Sequence, residues 1–109
     1  MGKTLELLPG TLDLLILKAI QRGALHGYAI MQVIKERSDE VLQVGESSLY
    51  PALQRLLLNG WVQAEWGASE NNRRARYYAL TAAGRKQLSA ERADFDRMMA
   101  AIQKVLQTA

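Results

Sequence analysis

Arg73, Arg74 and Arg76 place three guanidinium groups within four positions, directly ahead of Tyr77 and Tyr78. A guanidinium is permanently charged and presents a planar fork of donors, so such a cluster suits phosphate oxygens or the electronegative minor groove of DNA. The same residues could form a plain solvated basic face, and the distribution of charge bears on that choice. Residues 1–60 carry six basic and six acidic side chains, whereas residues 71–86 hold Arg73, Arg74, Arg76, Arg85 and Lys86 with no acid. The mild net charge of +3 therefore conceals a local concentration.

Other chemistries find few residues to perform them. There is no cysteine, which removes disulfides, thiolate nucleophiles and cysteine-ligated metal sites. His26 is the only histidine, so neither a metal set nor a Ser-His-Asp arrangement has its members, and the residue is expected at the start of a helix. No glycine-rich phosphate loop and no pair of carboxylates on one expected face remains. An enzyme, a cofactor and a metal are accordingly not expected. The most apolar run, Leu12 to Ile20, is interrupted by Asp13 and Lys18 and is too short to span a bilayer. Met1 to Pro9 lacks the basic start of a signal peptide and no small-residue cleavage site follows, so the expected location is the cytoplasm.

The elements that would carry the arginines follow from periodicity. After Pro9 and Gly10, apolar residues at Leu12, Leu15, Ile16, Ala19 and Ile20 predict a first helix, ended by Gly23. A second runs from about Gly27 to Ser38, with Ile30, Val33, Ile34 and Arg37 on one stripe. Ser47 and Ser48 are candidate N-caps of a third, in which Pro51 is tolerated if it falls in the first turn. Leu49, Ala52, Leu53 and Leu56 form its buried stripe, and Asn59 and Gly60 close it. Trp61 to Trp66 and Arg74 to Leu80 alternate in character and predict two strands joined by a turn rich in Gly, Ser and Asn. Thr81 then caps a long helix reaching about Leu106, with Leu88, Phe95 and Ile102 seven apart, and Met98 or Met99 and Val105 or Leu106 at the half-steps.

The expected fold class is mostly α with a small β-hairpin: a winged helix-turn-helix, residues 1–81, and a long C-terminal helix, residues 82–109, in one compact unit. In that architecture the third helix enters the major groove and the hairpin is the wing. The arginines fall at the wing's turn and on its outgoing strand, where they can reach phosphates or the minor groove. A helix from Ala82 to Leu106 would extend about 37 Å, too far for so small a head to cover. Pairing with a second copy through Leu88, Phe95, Met98, Met99, Ile102 and Leu106 would bury its apolar stripe and set two recognition helices about one DNA turn apart.

The strings "LPGTLDLLILKAI", "LHGYAIMQVI", "GESSLYPALQRLLLNGWV" and "RRARYYALTAAGRKQL" resemble the PadR family of bacterial transcriptional regulators, in particular its short members with a single C-terminal helix. The resemblance extends from about Leu8 to Leu106. It implies a homodimeric winged-helix protein, usually a repressor, bound to an inverted-repeat operator of double-stranded DNA; some members release DNA on binding a small aromatic or amphipathic effector. Carried onto this chain, it implies DNA contacts from Tyr28 at the start of the second helix and from Ser47, Ser48 and Tyr50 at the start of the recognition helix. Gln54 and Arg55 follow one turn later, and Asn72, Arg73, Arg74 and Arg76 come from the wing. Hydroxyls and helix N-termini suit phosphates, Gln suits adenine and Arg suits guanine.

Several residues have plainer roles open to them. Trp61 and Trp66 could stack bases, but beside the third helix they are expected as core or core-edge anchors. Glu46 is expected near the positive end of the third helix. Phe95, Met98 and Met99 would suit a planar ligand, but dimer packing is their expected role. A winged helix can also present its third helix to a protein partner; the acid-free cationic run of residues 71–86 argues against that alternative.

Overall fold

The computed structural model describes residue 7 and residues 10–108. Seven elements follow in order: α1 (Thr11–Ala19), β1 (Leu25–His26), α2 (Gly27–Arg37), α3 (Glu46–Leu58), β2 (Val62–Ala68), β3 (Arg74–Leu80) and α4 (Ala82–Gln107). Pro9, expected just ahead of the first helix, lies outside the described residues, and Gly10 precedes α1 with a left-handed backbone, φ 87°.

Hydrophobic periodicity places the first three helices around one core. Ile16, Leu17 and Ile20 from the first helical segment, Ile30 from α2, and Leu49, Leu53 and Leu56 from α3 are wholly buried. Each such side chain withdrawn from water contributes about 1.5–3 kcal/mol. On α2 the buried positions are Ile30 and Ile34, with Val33 half-buried. Arg37, expected on the same stripe, is exposed because it falls in the last turn, where the core has ended.

The start of α3 also differs from expectation. The helix begins at Glu46 with Gly45 as a backbone cap, whose carbonyl accepts from Ser48 N (3.2 Å) and Leu49 N (3.0 Å). Ser47 and Ser48 therefore stand inside the first turn, not before it. Pro51 is consequently inside the helix rather than in its first turn. Its missing N–H leaves the Ser47 carbonyl without an amide donor, a loss that solvent can make good because both residues are exposed.

The sheet has the order β1-β3-β2, all antiparallel. Val62 pairs with Leu80 and Ala64 with Tyr78 at the core end of the hairpin; Trp66 pairs with Arg76 and Ala68 with Arg74 near its tip. Because side chains alternate across a sheet, these pairs share one face, which runs from the packed core outward to the arginines. The two-residue strand β1 pairs Leu25 with Tyr78 and His26 with Tyr77, tying the approach to α2 onto the wing.

The root of α4 is fastened to the end of α3. Thr81 Oγ1 accepts from Gly84 N (3.0 Å) and donates to the Gly60 carbonyl (2.7 Å), while Thr81 N donates to the Trp61 carbonyl (3.1 Å). Gly84 packs so closely that a Cβ there would collide with the Trp61 carbonyl oxygen. Beyond this seat the helix divides. Leu88, expected in a dimer seam, is only 6% exposed and belongs to the core of its own chain, and Phe95 is half-buried against that core. Past Phe95 the apolar stripe emerges: Met98 is 60% exposed, and Ile102, Val105 and Leu106 are exposed too.

Candidate nucleic-acid interface

Three local structures converge on one open cleft of about 750 Å³: the start of α2, the first half of α3 and the outer part of the hairpin. His26 closes the first of these. Its Nδ1 accepts from Ala29 N (3.1 Å), which makes it the N-cap of α2, and its ring meets Tyr77 edge-on at 5.4 Å between centroids. The single histidine is thus a helix-starting residue, as its context implies.

Immediately behind it, Tyr28 is 62% exposed, and its hydroxyl accepts from Gln32 Nε2 (2.8 Å), keeping its own proton free for an acceptor in solvent. Tyr50 leans across from α3. Its hydroxyl occupies the space a side chain at position 27 would need, 2.6 Å from where a Cβ on Gly27 would sit. Partial burial, then the Glu46 carboxylate, then Tyr78, push its pKa above the ordinary value of 10.0, so the hydroxyl stays protonated and able to donate. Glu46 itself occupies the first turn of α3, where the helix dipole favours an anion.

The hairpin supplies the charge. Its turn is closed by Ser69 N to the Arg73 carbonyl (2.7 Å) and Asn72 N to the Ser69 carbonyl (2.9 Å), with Asn72 left-handed at φ 60°. Arg73, Arg74 and Arg76 are exposed, and among the described residues none of them enters an ion pair. Glu36 and Glu70 are the carboxylates that line the same cleft.

Of the ten residues expected to meet DNA, the cleft gathers Tyr28, Tyr50, Arg73, Arg74 and Arg76. Ser47, Ser48 and Gln54 are exposed on α3 outside its lining, and Asn72 shapes the wing turn. Arg55 departs from expectation: its Nη2 donates to Asp13 Oδ1 at 2.8 Å, so its charge is engaged by α1. Nothing in the local pattern announces a partner 42 positions away. Trp66 differs as well. Expected as a core or core-edge anchor, it is 61% exposed on the cleft wall, because its strand partner at that level is Arg76 and the core ends at Ala64 and Tyr78.

On the other side of the molecule, Leu14, Leu15, Leu42, Leu88, Phe95 and Met99 line an apolar groove of about 390 Å³ between the α1 side of the core and α4. No helix among the described residues is long and apolar enough to cross a membrane.

Residues 16–90 match the model of the transcriptional regulator PadR-like family. An uncharacterised protein of Lysinibacillus sphaericus is 32% identical over 84 residues, 77% of either chain. Among solved structures, a transcriptional regulator from Clostridium thermocellum superposes with a TM-score of 0.80 at 30% identity, covering 87% of this chain and 92% of that one. A PadR family transcriptional regulator from Eggerthella lenta gives 0.76 at 27% identity, covering 92% and 85%.

Proposed function

Because the chain belongs to the PadR-like family of transcriptional regulators, which bind DNA and are not enzymes, we propose that it acts as a homodimeric repressor on an inverted-repeat operator. The observation that carries this reading is the convergence of Tyr28, Tyr50 and three unpaired arginines on one cleft wall, with the α3 hydroxyls and Gln54 exposed beside it. Residues 1–81 are the DNA-binding unit. Ser47, Ser48, Tyr50 and Gln54 meet the major groove, Tyr28 donates to a phosphate, and Asn72, Arg73, Arg74 and Arg76 follow the backbone or the minor groove. Arg55, held by Asp13, reaches DNA only by giving up that ion pair.

Residues 82–109 pair the two copies. The exposed stripe of Met98, Ile102 and Leu106, with half-buried Phe95 and Met99, supports a symmetric contact in which each copy covers the other. The apolar groove beside Phe95 and Met99 is where a small aromatic or amphipathic effector would alter that pairing and release DNA. Selection of bound fragments from random DNA should return a palindrome with half-sites about one helical turn, roughly 34–36 Å, apart. Recovery of unrelated sequences or of single half-sites would overturn the proposal.

A further inference from the structure

A tryptophan left 61% exposed beside a cationic loop is out of place for packing, and its surroundings are ordered from both sides. On the cleft face, the guanidinium carbon of Arg74 lies 4.7 Å from the Trp66 ring centroid. Arg74 pairs with Ala68 and Arg76 with Trp66, so the stacked arginine is the diagonal neighbour across the hairpin. On the opposite face, Tyr77 lies over Gly67, its ring 3.1 Å from where a Cβ would be, and its hydroxyl donates to the Ala68 carbonyl at 2.8 Å. The strand is thereby braced from behind at the level where Trp66 projects.

Stacking occupies the flat face of the guanidinium and leaves its N–H edges available, with no ion pair engaging them among the described residues. It also removes in advance much of the rotamer freedom that a long side chain loses on docking. We propose that Trp66 is a positioning residue for DNA recognition: its ring holds Arg74 ready for a narrow, A·T-rich minor groove and so makes the wing selective at base pairs flanking those read by α3. This rests on the reading of the hairpin as a DNA-contacting wing. Narrow A·T tracts carry the deepest negative potential and exclude the guanine amino group, which makes them the natural target for a pre-aimed guanidinium.

The test uses the full chain and fluorescence anisotropy on a selected duplex whose wing-facing pairs are A·T, G·C or inosine·C, the last lacking the minor-groove amino group. Wild type should prefer A·T and inosine·C over G·C. Trp66→Leu and Arg74→Ala should each erase that preference, by about fivefold per wing, the exposed cation–π contribution converted to affinity. The double variant should be no worse than either single one, and Trp66→Phe should keep most of the preference. Equal losses on all three duplexes, or losses that multiply in the double variant, would overturn the proposal. If Trp66→Leu loses its cooperative melt, Arg74→Lys decides: it keeps the charge but not the stacked fork, so it must lose the preference at an unchanged salt slope, and retention of the preference refutes the idea. A wild-type chain that binds no DNA at low salt would instead defeat the underlying reading of the function.

Discussion

The tip of the hairpin and the outer half of α4 both project beyond the core, with opposite surfaces. Arg73, Arg74 and Arg76 are charged groups that water already solvates, whereas Met98, Ile102, Val105 and Leu106 are apolar groups held in water. Each of the latter forgoes part of the roughly 1.5–3 kcal/mol that full burial would supply. A projection content in water can wait for a hydrated polyanion and bind it by releasing counterions. One that is uncomfortable in water calls for a permanent cover. Within the proposed function, the contrast puts assembly first and operator binding after it.

The sharpest way to break that contrast is Ile102→Asp. In the proposed dimer it places two carboxylates in one apolar seam, at an expected cost of about 5 kcal/mol. Light scattering should then report a monomer, and gel shifts should show operator affinity lost with it; a monomeric variant that binds the operator as tightly as wild type would separate the two functions. Next in size is Leu88→Ala, on the same helix but inside the core. It should lower the stability of the chain by about 2–5 kcal/mol in chemical denaturation. Because Leu88 is buried within its own chain, the effect should persist in an Ile102→Asp background, where no dimer remains to be lost.

The smallest effect is expected at the wing. Replacing Arg73 with alanine should leave melting and assembly unchanged while weakening binding to every sequence and reducing the salt slope by roughly one for the lost phosphate contact. Gln54→Ala gives the complementary signature, costing about 1–3 kcal/mol on the best site and relaxing preference at one or two positions. Identical profiles for the two variants across a panel of duplexes would mean that α3 and the wing are not divided between base and backbone contacts.

How much of this was legible from residue order depended on how local each cause is. The span of β3 could be read to the residue, because alternation and a flanking cap act over a few positions. Thr81 likewise announced its capping of α4. The two-residue strand β1 could not be seen, since two residues have no period, and pairing with Tyr77 and Tyr78 alone defines it. At α3 the side-chain rule for caps favoured Ser47 and Ser48, yet the Gly45 carbonyl does the work without a side chain. For Leu88, Arg55 and Trp66 the residue pattern left the partner unnamed, for a common reason. Helical or strand spacing says that a residue faces inward or outward from its element, but what lies opposite is decided by a segment distant in the chain: the core for Leu88, Asp13 for Arg55, Arg74 for Trp66.

The close seat of Gly84 on Trp61 has a mechanical corollary. With no room for even a methyl group there, and with Thr81 bonded to both Gly60 and Trp61, α4 is seated tightly against the head, an arrangement suited to moving as one arm. In the proposed dimer, a small change in the angle at which the two arms cross would be magnified into a larger displacement of the recognition helices at their far ends. Such a displacement would put one of two half-sites out of reach. Torque applied at the crossing point would thus release the operator without disturbing any residue that touches it, and a short flexible insertion between Leu80 and Ala82 would disconnect the gearing while leaving both ends intact.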